Sequence, residues 1–288
     1  MQKLHIGEEH ARQRADIFAC DRLPSLSRAY VQKLFADGRI KINNNTEKPG
    51  YRLKLNDEMQ IDFDPDKEVK IEDIDIPIIY QDENVVVVNK PIGVISHSRG
   101  KYWYEPSVAS FVRQITQQEG DRAGIVHRLD RATSGVMICS KNSDTLKLLQ
   151  RQFSDRSVKK TYLAIVSGTP KEKEAVIDMP IERNPKKPQT FRVGAQGKSA
   201  TTQYKVVSEC GKYSLLELRP ATGRTHQLRV HLDEIGHPIV GDELYDGPVA
   251  DRLMLHAAAL EVTIPDAKNI IFEAPTPDRF VEVMKDCS

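Results

Sequence analysis

The order of apolar and polar positions divides the first 63 residues into several short elements. ARQRADIFACDRL (11–23) and SLSRAYVQKLFADG (25–38) space their apolar residues like helices, the second with serines suited to capping its start. RIKIN (39–43) alternates as a short strand, and YRLKLNDEMQIDF (51–63) predicts two alternating strands joined by a turn. Together these elements predict a small compact unit.

From Ile78 onward the pattern changes to that of a larger sheet. Its predicted strands include the β-branched run NVVVVNKP (84–91) and the segments KTYLAIV (160–166), SATTQYKVV (199–207) and YSLLELRP (213–220). Its predicted helices are DTLKLLQRQF (144–153) and THQLRVHLDEIG (225–236), the second with Thr225 as its N-cap. Strands outnumber helices and do not alternate regularly with them, so the pattern predicts an α+β fold rather than a doubly wound one.

The segment between these two regions predicts a linker, because DPDKEVKIEDIDIP (64–77) is polar and acidic. We therefore predict three parts, namely a small N-terminal domain over residues 1–63, an acidic linker over 64–77 and a large domain over 78–288.

Charge is distributed unevenly, although the formal net charge of the chain is only +1. From Arg22 to Lys54, eight Lys and Arg residues stand against two acids, whereas from Asp57 to Asp75 nine acids stand against two lysines. A basic block beside an acidic one is typical of a module that binds a polyanion, followed by a segment that does not. Two solvated surfaces of opposite charge are the alternative.

Composition indicates a globular protein of the cytoplasm, with 39% hydrophobic and 29% charged residues. The four cysteines contain no CxxC pair, which argues against a zinc ribbon or a disulfide framework and fits a reducing compartment. No apolar run approaches the length of a membrane span, and residues 1–16 lack the apolar segment of a signal peptide. We expect a cytoplasmic protein without a membrane partner, and a monomer by default.

The sequence motifs of common cofactors are missing. Gly197-Lys198-Ser199 resembles the end of a P-loop, but the first glycine of that motif would fall at Arg192. No GxGxxG follows a strand, so no nicotinamide or flavin site is predicted. His226 and His231 are five residues apart, which is the wrong offset for binding one metal from a helix. We expect no cofactor and no metal, and we interpret these histidines as structural or RNA-facing.

The segment GIVHRLDRATSG (124–135) places a carboxylate, Asp130, between two arginines and next to apolar sequence. An aspartate in solution has a pKa of ~3.9, and a buried aspartate stays charged only if a cation lies nearby. In a cleft, such a carboxylate is able to act as a nucleophile or to stabilise an electron-poor carbon. The alternative is a loop aspartate that caps the turn before Thr133.

Five ordered segments resemble the motifs of the RluA-type pseudouridine synthases. The match comprises GIVHRLDRATSGVMICSKN (124–142), with its His-Arg-Leu-Asp core, and the segments 85–97, 158–168, 219–245 and 252–265. In this order they cover nearly all of residues 78 to 270. One departure is Ala132, because the family commonly has Lys-Asp-Thr where this chain has Arg-Ala-Thr. The lost carboxylate is expected to alter local hydrogen bonding and substrate recognition more than catalysis.

The resemblance implies an enzyme that breaks the nitrogen–carbon glycosidic bond of a uridine in RNA, rotates the base and rejoins it through carbon, without a cofactor. It implies the pseudouridine synthase fold, a mixed and largely antiparallel sheet flanked by helices. Asp130 is then the essential carboxylate, and its attack on the sugar, its addition to the base and its abstraction of a proton all stay open. Arg128 fills the space that the flipped base leaves, and Tyr162 stacks on the uracil or accepts a proton.

The remaining site residues are implied by the same motifs. Arg224 is our choice for the cation paired with Asp130, and Arg229 is the second choice for that role or else a phosphate contact. Leu228 is a candidate for the apolar floor beneath the base, with a plain core leucine as the alternative. Lys90 is expected to orient the loops of the site without being catalytic.

Residues 1–63 separately resemble the small RNA-binding domain known as the S-four or alpha-L fold, which often precedes this catalytic domain. The resemblance favours RNA as the polyanion, and phosphate contacts are then expected from Arg22, Arg28, Lys33, Arg39 and Lys41. RNPKKPQTFRVGAQGK (183–198) has five basic residues and no acid, and it predicts either a further RNA surface or a mobile solvated loop.

The domain layout favours large-subunit ribosomal RNA as the substrate, with tRNA as the alternative. A non-catalytic RNA-binding protein on the same fold is a weaker hypothesis, because Asp130, Tyr162 and Arg224 are all present. A glycosidase is weaker still, since no second carboxylate stands at a motif position near Asp130.

Overall fold

The computed structural model describes residues 2–24, 26–64, 73–98, 105–116, 123–266 and 269–286. The chain forms two compact units, Met1–Asp73 with His97–Pro106, and Ile74–Ser96 with Ser107–Ser288. Most of the acidic linker predicted over 64–77 lies outside the described residues. The predicted domain boundaries therefore stay predictions.

The N-terminal unit combines two helices with a small antiparallel sheet of strand order β1-β3-β2. Its elements are β1 (Gln2–His5), a 3-10 turn (Glu8–His10), α1 (Ala15–Arg22), α2 (Arg28–Ala36), β2 (Ile40–Ile42) and β3 (Glu58–Ile61). The Ser27 side chain caps α2 by accepting a hydrogen bond from the Tyr30 N–H. The helices bury a core against the sheet that includes Phe18, Leu34, Phe35, Ile40 and Met59.

Two features of this unit differ from the sequence prediction. The segment 51–63 contains one strand instead of two, because the backbone before β3 makes only an isolated bridge at Arg52. The second partner of β3 is the N-terminal strand β1, which pairs from Gln2↔Ile61 to His5↔Glu58. β1 escaped prediction because its side chains are exposed or half-buried, so no apolar face marks it in the sequence.

The larger unit is built on one extensive sheet. Its first elements are β4 (Ile78–Gln81), β5 (Val85–Lys90), α3 (Val108–Arg113), β6 (Ser134–Ser140), α4 (Ser143–Asp155), β7 (Lys159–Ser167) and β8 (Glu174–Asp178). They are followed by β9 (Ile181–Arg183), β10 (Phe191–Val193), β11 (Thr201–Cys210), β12 (Tyr213–Pro220), α5 (Gln227–Glu234), β13 (Leu255–Thr263), β14 (Asn269–Glu273) and α6 (Asp278–Asp286).

Within the described residues, nine strands form this sheet in the order β4-β5-β6-β13-β7-β12-β11-β8, with β14 paired to β13. The β6–β13 pair is parallel and the other pairs are antiparallel. β9 and β10 form a separate hairpin. The α+β class predicted from the sequence is confirmed, because a mixed sheet carries helices that do not alternate with its strands.

A row of paired residues across the middle of the sheet sets the position of the site. Lys90 pairs with Gly135, Gly135 with Ala257, Ala257 with Tyr162, and Tyr162 with Leu218. Gly135 has a φ of +117°, and a Cβ there would lie 2.1 Å from the Ala257 carbonyl oxygen. Only glycine therefore permits this close approach of β6 to β13. The row brings the loop that precedes β6 beside the start of β7.

One smaller sequence prediction is wrong. Thr225 is predicted to cap α5, but the N-cap is His226, which adopts a left-handed backbone with φ 55° and makes no side-chain cap. Cys20 and Cys139 are free and Cys210 is disulfide-bonded, and one such bond is not the disulfide framework that the sequence argues against.

Candidate active site

A cleft of about 480 Å³ opens beside the central row of the sheet. Its walls come from the loop before β6, the end of α4, the start of β7 and the segment that leads from β12 into α5. The cationic side chains that line it are Arg128, Arg156, Lys160, Arg224 and Arg229. The one carboxylate among the described lining residues is Asp130. A cleft with this charge balance suits a polyanionic ligand.

Backbone hydrogen bonds fix the loop that carries Asp130. Leu129 is buried, its N–H donates to Ser96 Oγ at 3.0 Å, and that hydroxyl donates to the Leu129 carbonyl at 2.7 Å. On the other side, the Thr133 N–H donates to the Asp130 carbonyl at 3.0 Å. The Asp130 side chain keeps 25% of its surface exposed. The carboxylate is thus held by its own backbone and remains open to the cleft.

Lys90 lies behind this loop, because its side chain is fully buried and is not part of the cleft wall. Its ammonium donates to the carbonyls of Pro91 at 2.9 Å, Val94 at 2.8 Å and Arg131 at 3.3 Å. Burial lowers the Lys90 pKa to about 7, against the opposing charge of Asp130. Lys90 was also a candidate for binding substrate, and no part of its side chain reaches the cleft wall in this structure. Its bond to Arg131 instead anchors the residue next to Asp130.

Tyr162 lines the cleft from β7 and is half-buried. Burial, and after it the charge of Asp130, raises the Tyr162 pKa far above its usual value. The phenol therefore stays protonated at neutral pH, which favours its use as a stacking surface over its use as a proton acceptor.

The predicted ion pair between Arg224 and Asp130 is not formed in the described structure. Arg224 Nε donates to the Ser199 carbonyl at 3.0 Å instead. Arg224 lies two residues before the left-handed His226, and its guanidinium is turned toward the segment that precedes β11. Arg224 still lines the cleft, so a contact with substrate stays a prediction.

Arg229 is the better candidate for the cation whose charge acts on Asp130. It is 6% exposed and forms a two-pronged ion pair with Asp242, with Nε–Oδ2 at 2.7 Å and Nη2–Oδ1 at 2.6 Å. Burial lowers the Arg229 pKa, but Asp242 and then the charge of Asp130 outweigh burial and raise it. Arg229 also lines the cleft, so the phosphate contact suggested as its second role stays a prediction. Arg229 is a fixed positive charge beneath the cleft.

His226, which the sequence analysis interpreted as structural or RNA-facing without a role in the site, lines the cleft beside Asp130. Its Nε2 lies 3.9 Å from Asp130 Oδ2, and its Nδ1 lies 2.9 Å from the Tyr245 hydroxyl. Burial lowers the His226 pKa, and the charge of Asp130 opposes this shift. The residue was missed because a helical backbone, as predicted for 225–236, would have placed its ring elsewhere. Its left-handed φ has no signal in the sequence.

The other predicted cleft residues lie as follows. Arg128 is exposed at the cleft wall, where a guanidinium is able to move toward a ligand. Leu228 lines the cleft and is 7% exposed, so it supplies apolar surface there. His127 has structural contacts, because its Nε2 accepts the Ile138 N–H at 3.1 Å and its ring stacks on Phe153. Burial lowers the His127 pKa to about 3, so the ring is neutral.

The basic residues predicted to dock RNA on the N-terminal unit fall into two groups. Lys33 and Lys41 are exposed and Arg39 is half-buried. Arg28 forms an ion pair with the fully buried Asp16, to which it donates hydrogen bonds from Nε and Nη2. Arg22 contacts the ring nitrogen of His10 at 3.1 Å and lies over the Phe18 ring, which are local structural contacts.

No cluster of three or more His, Cys, Asp or Glu side chains within 2–24, 26–64, 73–98, 105–116, 123–266 and 269–286 is arranged to hold a metal ion. Over the same ranges, the helices are too short or too polar to cross a membrane.

Comparison with known families gives two matches in this chain. The family model described as RNA pseudouridylate synthase matches residues 84–234, and the S4 domain model matches residues 13–59. These two stretches coincide with most of the large sheet and most of the N-terminal unit.

Curated relatives resemble the chain over nearly all of its length. Ribosomal large subunit pseudouridine synthase D of Borreliella burgdorferi is 36% identical over 288 residues, which cover 93% of this chain and 87% of the relative. Ribosomal large subunit pseudouridine synthase C of Vibrio parahaemolyticus is 31% identical over 303 residues, which cover 98% of this chain and 92% of the relative.

Solved structures share the fold of the large unit. Human RNA Pseudouridylate Synthase Domain Containing 1 matches with a TM-score of 0.60 and 27% identity, covering 76% of this chain and 97% of its own. Human RNA Pseudouridylate Synthase Domain Containing 4 matches with a TM-score of 0.59 and 28% identity, covering 73% and 92%.

Proposed function

The chain belongs to the RNA pseudouridine synthase family and carries an N-terminal S4 domain, and on this premise we propose that it isomerises specific uridines of large-subunit ribosomal RNA through Asp130. The observation that carries the proposal is a single, partly exposed carboxylate in a cleft whose other charged lining residues, among those described, are cations. The relatives named for the large ribosomal subunit support this RNA over tRNA.

The reaction exchanges one bond to the ribose for another. The bond from C1′ to the base nitrogen breaks, the base rotates, and a bond from C1′ to C5 forms; the C5 proton is lost to solvent and the freed base nitrogen gains a proton. Atoms and electrons balance without an oxidant, a reductant or a phosphoryl donor. In our proposal Asp130 is the group that enables these bond changes, and the Arg229 guanidinium, held in place by Asp242, is the buried cation whose charge interacts with it.

Access to the base requires that the uridine leaves its stack, at a cost of a few kcal/mol. We assign Arg128 to the vacated position, because its exposed guanidinium is able both to stack and to donate hydrogen bonds. Tyr162 and Leu228 then bound the flipped uracil with apolar surface. Arg224 remains a candidate contact to substrate.

The loss of the C5 proton gives a direct assay for this proposal. With in vitro transcribed large-subunit ribosomal RNA containing uridine tritiated at C5, the purified protein is expected to release tritium to water in an amount that saturates at a small number of sites. Transcribed tRNA is the comparison substrate. Tritium release from tRNA alone would show that tRNA is the substrate, and release from neither RNA would contradict the proposed function.

For the N-terminal unit we propose RNA docking through surface cations, with Lys33, Arg39 and Lys41 as the residues that meet phosphates. Replacing all three by alanine is expected to weaken RNA binding and to reduce the slope of log K against log salt by about 1 for each phosphate that is no longer neutralised. Filter binding of the full-length protein to transcribed large-subunit RNA at several salt concentrations measures both quantities.

The matched control for this docking prediction removes the same charge elsewhere. Lys171, Lys173 and Lys205 are exposed on and around β8 and β11, outside the cleft wall. Their triple alanine variant should keep the slope of the unchanged protein. Equal slopes for the two triple variants would refute docking through the N-terminal unit.

We also propose that the protein acts in the cytoplasm as a monomer. The ribosomal relatives support the location, and one chain holds both an S4 domain and the cleft, so each proposed element is present in a single copy. Light scattering of the purified protein should give the mass of one chain, 32.6 kDa.

A further inference from the structure

Two cations at the end of the cleft formed by α4 and β7 have no part in the bond changes described above. Lys160 lies two residues before Tyr162 on β7, so both side chains leave the same face of the strand. Arg156 caps the end of α4 with a left-handed backbone, and both residues line the cleft. The Lys160 ammonium donates to the Thr222 carbonyl at 3.4 Å.

Within the described residues, no carboxylate pairs with either of these two cations. Burial lowers the Lys160 pKa, and the positive charge of Arg156 lowers it further, so the two cations lie close enough to repel. Neither forms an ion pair with a carboxylate in the part of the chain that the structure describes. By contrast the neighbouring Lys159 is exposed and pairs with Glu261 at 2.8 Å. An anion that binds between two cations in a cleft wall offsets the repulsion between them.

We propose that Lys160 and Arg156 form a subsite for a backbone phosphate of the RNA strand beside the target uridine, an assignment that rests on the proposed function. Arginine matches two phosphate oxygens at once and lysine acts as a point charge, so together they suit one phosphodiester group. Open space lies near this pair, since Lys160 contacts the Thr222 carbonyl and a Cβ added at the next residue, Gly223, would meet nothing within 4 Å. The phosphate would thus bind next to the surface on which Tyr162 receives the base.

The test replaces Lys160 by methionine, which keeps the length of the side chain and removes its charge. On transcribed large-subunit RNA, Lys160→Met is expected to raise KM roughly tenfold and to reduce the salt slope by about 1, with kcat within twofold. Lys159→Met is the matched control, and it should change none of these values. Arg156→Met should have the same effect as Lys160→Met. Because Arg156 is exposed, this variant provides the test if Lys160→Met folds poorly.

The outcomes separate this subsite from the proposed function. If the unchanged protein releases no tritium from any RNA, the proposed function fails, while the salt slopes of Lys160→Met and Lys159→Met still test phosphate binding. If kcat falls while KM and salt slope stay unchanged, or if Lys159→Met and Lys160→Met behave alike, the phosphate subsite is refuted.

A separate observation concerns the proton on the His226 ring. The Phe191 N–H donates to the Tyr245 hydroxyl oxygen at 2.9 Å, and that hydroxyl lies 2.9 Å from His226 Nδ1. No other partner for the Tyr245 proton exists among the described residues. Its O–H therefore donates to Nδ1, which leaves the ring proton on Nε2, the nitrogen that lies 3.9 Å from Asp130 Oδ2.

Packing fixes the plane of this ring as well as its proton. Phe191 and Tyr245 both meet the His226 ring edge to face, with centroids 5.7 Å apart in each pair. The left-handed φ of His226 holds its backbone at the start of α5. The present 3.9 Å separation is longer than a hydrogen bond, and such contacts commonly shorten when substrate binds.

We infer that His226 is a positioning residue, whose neutral Nε2–H orients the Asp130 carboxylate in the substrate complex, and that Tyr245 selects this tautomer. In protein labelled with ¹⁵N-histidine, long-range ¹H–¹⁵N correlation spectra are expected to show His226 as the Nε2–H tautomer. Tyr245→Phe should produce a mixture of tautomers and lower kcat roughly tenfold, with KM within twofold.

Two further variants complete this test. His226→Gln, which keeps an amide N–H able to reach Asp130, should retain more activity than His226→Ala. Tyr213→Phe removes a hydroxyl at a half-buried position on β12 and should leave tautomer and kcat unchanged. An Nδ1–H tautomer in the unchanged protein, or an unchanged kcat in Tyr245→Phe, would overturn the positioning role whether or not the substrate is ribosomal RNA.

Discussion

Replacement of Asp130 by asparagine is expected to reduce tritium release from uridine-tritiated RNA by roughly a thousandfold or more, because the essential group of the reaction is lost. Folding should be retained. Asparagine has the same shape, and the bonds that hold this loop run through the Leu129 and Asp130 backbone and Ser96. RNA affinity should stay within a few-fold, since removing a negative charge from the cleft does not weaken the binding of a polyanion.

The matched control is Asp144→Asn, at a side chain that is 92% exposed on α4. It should keep full activity and affinity. If Asp130→Asn released tritium at the rate of the control, the central role of this carboxylate would be excluded.

Asp242→Ala is expected to give the largest loss of stability, about 3–5 kcal/mol of unfolding free energy, because it leaves the buried Arg229 guanidinium without its carboxylate. The Leu244 N–H also loses an acceptor, since it donates to Asp242 Oδ1 at 3.2 Å. Urea titration followed by circular dichroism measures the change as a shift of the midpoint at constant slope.

The control for Asp242 is Asp251→Ala, which removes the carboxylate of an ion pair with Arg279 at the surface. An exposed pair of this kind contributes little to stability, so its midpoint should stay close to that of the unchanged protein. Equal midpoints for the two variants would show that the Arg229–Asp242 pair does not hold the base of the cleft.

The main architecture could be predicted because the relevant segments carry strong local signals. The run of valines at 85–88 is fully buried in β5, and the amphipathic segment 144–153 forms most of α4. The family motifs led to the correct family and fold class, both of which are confirmed. The N-terminal strand β1 could not be found in this way, because a polar edge strand is defined by its partner and not by its own side chains.

The side-chain partnerships of the site were less predictable than its location. Arg224 and Arg229 are five residues apart in one motif, and which of them affects Asp130 depends on the backbone between them. On either side of the left-handed His226, Arg224 donates to the Ser199 carbonyl and Arg229 lies on the buried face of α5, beside Asp242. A non-glycine residue with positive φ leaves no mark in hydrophobic periodicity, so this arrangement required the structure.

The most direct test of the central claim is a map of pseudouridines in the total RNA of cells that carry either the unchanged gene or Asp130→Asn. We predict that one or a few large-subunit ribosomal uridines are pseudouridine only with the unchanged gene, and that the pseudouridines of tRNA are the same in both. An identical set of pseudouridines in both cell lines would contradict the account.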